Sequence, residues 1–74
     1  MAKIQSSLHK KFGDKIKALR DQKGITQEDL AEKIEVDRSY MGFVERGERN
    51  PTLDVLGRIA KAFGISLSKL FENV

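Results

Sequence analysis

The sequence predicts an all-α fold, a compact bundle of five short helices, on three observations. Apolar residues recur at three- and four-residue spacing along most of the chain. Ser, Thr and Asp stand where these runs begin, and glycine stands where they end. No stretch alternates apolar and polar residues as a half-buried strand does. With 74 residues and no linker, repeat or low-complexity tract, the chain has the length of one domain with one modest core.

The first helix runs from about Ser7 to Lys23, with Leu8, Phe12, Ile16 and Leu19 as one apolar stripe. Gly24 ends it as a left-handed cap, and Ile25 follows as the apolar partner of that cap. Thr26 opens a second helix, with Asp29 three residues on as a short form of the capping box. Leu30, Ala31 and Ile34 form its inward face. A brief connection, Glu35-Val36-Asp37, leads to a third helix, capped by Asp37 and ending near Gly47. Met41, Val44 and Glu45 lie on one of its faces, and Ser39, Phe43 and Arg46 on the other. Gly47-Glu48-Arg49-Asn50-Pro51 has the composition of a loop. Thr52 caps a fourth helix with Leu53, Leu56, Ile59, Ala60 and Phe63 inward, and Gly64 stops it. Ser66 opens a short fifth helix carrying Leu67, Leu70 and Phe71.

Composition narrows the function classes. The chain has no cysteine and one histidine, so it lacks the side chains for a disulfide or a zinc site, and no cofactor or metal is expected. No apolar run approaches the roughly 18 residues of a membrane span, and the start lacks the apolar stretch of a signal peptide, so a cytoplasmic protein is expected. Glu28, Asp29, Glu32 and Glu35 follow one exposed helix face and read as a solvated surface. There is no glycine-rich phosphate loop and no nucleophile with a base beside it, so neither an enzyme nor a small-molecule substrate is expected.

The net charge of +3 favours an anionic partner only weakly, and its distribution says more. Residues 1–24 carry +5, residues 25–50 carry −3 and residues 51–74 carry +1. The segment with the most telling geometry is therefore net acidic. That geometry is two short helices joined by a tight turn, which forces a steep crossing and lets the second helix project. A projecting helix fits the major groove of B-DNA, about 12 Å wide, with its N-terminal residues at the base edges.

Thr26-Gln27-Glu28-Asp29-Leu30-Ala31, Val36-Asp37-Arg38-Ser39-Tyr40-Met41 and Val44-Glu45-Arg46-Gly47, with Ile59-Ala60-Lys61-Ala62-Phe63-Gly64-Ile65 downstream, carry a family likeness. The sequence resembles the phage-repressor and Cro-type helix-turn-helix family, the XRE class, from Phe12 to Phe71. Asp-Arg-Ser-Tyr followed by Glu-Arg-Gly-Glu-Arg-Asn resembles in particular the small controller proteins of restriction–modification systems. The resemblance implies a lambda-repressor-like fold, with a helix-turn-helix over about residues 26–46 and C-terminal helices over 52–72. It also implies a transcriptional regulator that binds operator half-sites in double-stranded DNA as a homodimer and meets RNA polymerase at its promoter. Alternatives are an antitoxin that represses its own operon and a module that bridges transcription factors.

The resemblance assigns roles residue by residue. Gln27 would grip a phosphate, the alternative being a solvated residue at a helix start. Arg38 and Ser39 open the reading helix, where arginine suits guanine or a phosphate. Tyr40 would aim its hydroxyl at the DNA backbone, or stand half-buried. Phe43 would touch a thymine methyl, fold back on the domain, or join a protein interface. Gly42 beside it suggests the close approach of a backbone, or simple tolerance. Arg46, Arg49 and Asn50 would meet phosphates. Lys10, Lys11, Lys15 and Lys17 would form a solvated basic face, and His9 would be solvated and without a role. Arg20 and Glu45 would pair across the core rather than touch DNA. Glu35 stands where the family commonly has a glycine. Leu67, Leu70, Phe71 and Val74 are the candidate dimer surface, with core packing the alternative for Leu67 and Leu70.

Overall fold

The computed structural model describes residues 7–74, so the reading of the chain's first six residues lies outside it. Five helices follow in order: α1 (Ser7–Lys23), α2 (Gln27–Ile34), α3 (Arg38–Glu45), α4 (Leu53–Phe63) and α5 (Leu67–Leu70). No helix among the described residues is long and apolar enough to cross a membrane.

Caps set the boundaries. Thr26 Oγ1 accepts from the Asp29 N–H at 3.0 Å, and Asp29 Oδ2 accepts from the Thr26 N–H at 2.9 Å. This reciprocal box starts α2, and the bond from the Thr26 backbone holds the Asp29 carboxyl below its usual value. Thr52 caps α4 and Ser66 caps α5 through their hydroxyls. Asp37 differs: it stands at the start of α3 with extended backbone but makes no side-chain cap bond. Gly64 ends α4 at φ 68°, where glycine pays no Cβ penalty.

α3 packs against α1 and α2, while α4 packs against α2 and α5. Ile16, Leu30, Met41, Val44, Ile59 and Leu70 are the large side chains most completely withdrawn from water. Burial of each such chain contributes roughly 1.5–3 kcal/mol before the entropy of ordering it is subtracted. α1 crosses α3 at Gly13, where a Cβ would lie 2.7 Å from the Val44 carbonyl oxygen and 2.7 Å from the Glu45 carbonyl carbon. Gly47 sits against α1 in the same way, with φ 77° and a Cβ position 2.9 Å from the Lys10 Cα. These two glycines let α3 and its exit lie close against α1.

Two residues expected on the inward faces are at the surface: Leu8 is 58% exposed and Leu53 is 74% exposed. Both lie in the first turn of their helices, which overhangs the core rather than covering it. α3 stops at Glu45, earlier than the sequence suggested, and Arg46 caps it. Lys15 leaves the expected solvated lysine face. Its Nζ donates to the Glu72 carbonyl at 2.7 Å and the Lys69 carbonyl at 3.3 Å, closing the end of α5. His9 is half-buried, and its backbone lies beside Gly47.

Candidate nucleic-acid interface

The turn between α2 and α3 is built on a left-handed residue. Glu35 adopts φ 64° and ψ 47°, and the Val36 N–H donates to the Ala31 carbonyl at 2.9 Å. A side chain at such a position costs on the order of 1–2 kcal/mol relative to right-handed backbone. The surrounding contacts hold it there: Ile34 is buried, Val36 packs on the core, and Arg58 Nη1 donates to the Ile34 carbonyl at 3.1 Å. The turn therefore keeps its shape without the glycine common at this place in the resembled family.

α3 lies with one face in the core and the other in the open. Met41, Val44 and Glu45 are buried, whereas Arg38, Ser39 and Arg46 are exposed and Phe43 is half-buried. Tyr40 is half-buried and packs against the core, which leaves its ring a structural part. Gln27, Arg38, Ser39, Gly42, Phe43 and Arg46 line one shallow cleft of about 270 Å³ along the α2–α3 junction. Five of the eight residues proposed for DNA contact thus share one surface. Arg49 joins it through Phe43, while Asn50 is exposed in the following loop.

Beneath this surface lies a charged network. Arg20 Nε donates to Glu45 Oε2 at 2.6 Å and Arg20 Nη2 donates to Glu45 Oε1 at 2.9 Å, a two-point pair buried from water. Arg20 Nη1 also donates to the Ile25 carbonyl at 2.9 Å. The hydrogen bond to Glu45, opposed by burial, raises the Arg20 pKa above its ordinary value. Gln27 Nε2 donates to Glu45 Oε1 at 3.0 Å. Gln27 is half-buried, so one side chain bridges the core ion pair and the outer cleft.

Phe43 is covered by cations. The Arg46 guanidinium carbon lies 5.0 Å and that of Arg49 5.2 Å from the ring centroid, within the roughly 6 Å of an attractive cation–π contact. Gly42 leaves room for this: a Cβ there would lie 3.2 Å from Arg46 Nη1 and 3.7 Å from Gln27 Oε1. The expected approach of a backbone at Gly42 is not found; the atoms that come near are those of side chains. What Phe43 touches was left open by its type alone; a run of Phe43, Arg46 and Arg49 at three-residue spacing was the available signal. Gly13 was missed, although a glycine in the middle of an amphipathic helix is itself a sign of close approach.

The C-terminal surface needs correcting. Leu70, proposed for a dimer surface, is 0% exposed and belongs to the core, because α5 turns it under α4. Val74 is half-buried and packs on the same cluster. Phe71 keeps 38% exposure and stacks on Phe12 with ring centroids 5.0 Å apart. Leu67, at 39% exposure, and Leu53 also face outward, and these two line one hollow with Gly57.

The comparisons with known proteins agree with this architecture. A family model described as helix-turn-helix matches residues 16–70. Control protein C.MunI of a Mycoplasma species is 42% identical over 65 residues, covering 86% of this chain and 88% of its own. Control protein C.SmaI of Serratia marcescens is 42% identical over 62 residues, covering 84% and 74%. The crystal structure of the restriction-modification controller protein C.AhdI from Aeromonas hydrophila superposes with a TM-score of 0.79 at 44% identity, over 85% of this chain and 94% of that one.

Proposed function

The chain belongs to the helix-turn-helix family, and from that premise we propose that it is a sequence-specific DNA-binding regulator of transcription, of the kind that controls restriction–modification genes. The observation that carries the reading is α3 itself. Its inner face is bound to the core by Met41, Val44 and the Arg20–Glu45 pair, and its outer face presents Arg38, Ser39 and Phe43, with Arg46 at its C-terminal cap. A helix held this way enters the major groove without rearranging, while the start of α2 directs Gln27 at the phosphate backbone. Arg38 and Ser39, at the N-terminal end of α3, meet base edges. Arg46, Arg49 and Asn50 meet the sugar–phosphate chain. Tyr40 stays on the domain and offers at most its hydroxyl. Bound upstream of a gene in the cytoplasm, the protein meets RNA polymerase at the promoter.

The test is a mobility shift on DNA fragments that the protein selects from a random pool. Arg38→Ala is expected to weaken binding by roughly 1–3 kcal/mol and to relax base preference at one position of the selected site. An equal loss on every sequence makes Arg38 a phosphate contact. No selected sequence at all removes the regulator reading.

Binding to two half-sites calls for a two-fold dimer, and the exposed pair Leu53 and Leu67 is the apolar surface best suited to it. Leu53→Asp is expected to shift sedimentation toward the monomer. Because Leu53 is exposed, the change in domain stability is expected to stay within about 0.5 kcal/mol. A sedimentation profile equal to that of the parent protein places the interface elsewhere.

A further inference from the structure

Phe43 is a costly choice for the open face of a DNA-reading helix, and its surroundings show what it holds. Its ring lies against the guanidinium groups of both Arg46 and Arg49. Gly42 clears the space into which Arg46 folds, and Glu48 Oε1 lies 3.1 Å from Arg46 Nε on the side toward the loop. The two arginines come from different places, one capping α3 and the other in the loop beyond it. Without the ring, Arg46 would rest on its partly exposed pair with Glu48, and Arg49 would be a long side chain with its rotamers unset. With it, the guanidinium groups of Arg46 and Arg49 are held 5.0 and 5.2 Å from one ring centroid beside the cleft, and two cations gathered on one ring suit a phosphate anion.

Resting on the DNA-binding reading above, we propose that Phe43 is a positioning residue: its ring sets Arg46 and Arg49 in place before DNA arrives, so that both meet the phosphate backbone already ordered. The ring acts through the arginines and not through a base. Its contribution is therefore the ordering cost that those side chains no longer have to meet on binding. Such a contribution is independent of sequence, which separates it from the recognition of a thymine methyl.

The experiment measures affinity for a selected operator duplex and for an unrelated duplex over a range of salt. Phe43→Leu and Phe43→Met keep apolar bulk and helix propensity but lack the π face. Each is expected to lose about five- to tenfold in affinity on both duplexes alike. Phe43→Tyr, which keeps the ring, is expected to recover most of that loss. In a protein already carrying Arg46→Ala and Arg49→Ala, Phe43→Leu is expected to cost nothing further. Circular dichroism at the binding temperature corrects every affinity for the folded fraction.

A loss confined to sites with thymine at one position overturns the proposal in favour of base reading. A further loss in the background without the two arginines overturns it in favour of a structural role. Unchanged binding by Phe43→Leu and Phe43→Met overturns it outright. If the parent protein binds neither duplex, the failure belongs to the regulator reading and not to Phe43.

Discussion

Glu45→Ala is expected to remove a large share of the stability of this domain. The substitution leaves the Arg20 guanidinium buried with only the Ile25 carbonyl as partner, and it takes away the acceptor of Gln27. Breaking one side of a buried pair typically costs about 3–5 kcal/mol. A domain of this length has only about 4–11 kcal/mol in total at the usual stability per residue. The melting temperature is therefore expected to fall by more than about 12 °C, read by circular dichroism or urea unfolding. Because its pKa is raised, the arginine's share of the stability is complete below its ordinary value, falls away as pH rises from there through the raised value, and is gone above it. On the arginine side, then, the effect holds across the neutral range. Replacing both partners together, Arg20→Met with Glu45→Leu, is expected to recover much of the loss, since no charge is then left buried. A Glu45→Ala protein as stable as its parent would show that the pair carries little of the fold.

The second large effect is expected at Gly13. Alanine normally helps a helix interior by about 1 kcal/mol. Here its methyl would press on the carbonyl groups of Val44 and Glu45, which are backbone atoms and cannot rotate aside. α1 and α3 have to separate, and overpacking of this kind typically costs about 1–3 kcal/mol, enough to cancel the propensity gain and exceed it. Gly13→Ala is thus expected to destabilise by roughly 2 kcal/mol in urea unfolding and to tilt the outer face of α3, weakening DNA binding in the molecules that remain folded. Gly57 is the control, since nothing lies within 4 Å of its Cβ position and Gly57→Ala meets no such clash.

These two positions show how unevenly the sequence could be read. Arg20 and Glu45 were recognisable as a pair because the family likeness places them, and nothing in their spacing alone brings them together. The helix limits were legible because Thr26, Thr52, Ser66 and Gly64 carry local chemistry that works over three or four residues. Leu53 and Leu70 were not, because helical periodicity gives a face but not how far the neighbouring element extends over it. Leu53 hangs beyond the end of the core, whereas Leu70 is turned beneath α4. Phe43 likewise has a local identity and a non-local meaning: only the path of the chain after Gly47 brings Arg49 back to its ring.

The shortness of α3 sets a limit on what one molecule can recognise. Its eight residues extend about 12 Å at the usual rise, which spans three or four base pairs at about 3.4 Å each. A word of four letters recurs by chance about once in every 256 positions, while a genome offers on the order of a million or more competing positions. A single copy of this helix therefore cannot specify a unique address. In the two-fold dimer proposed above, the distance and orientation between two copies would supply the missing information, and that spacing would be as much a part of the message as the letters themselves.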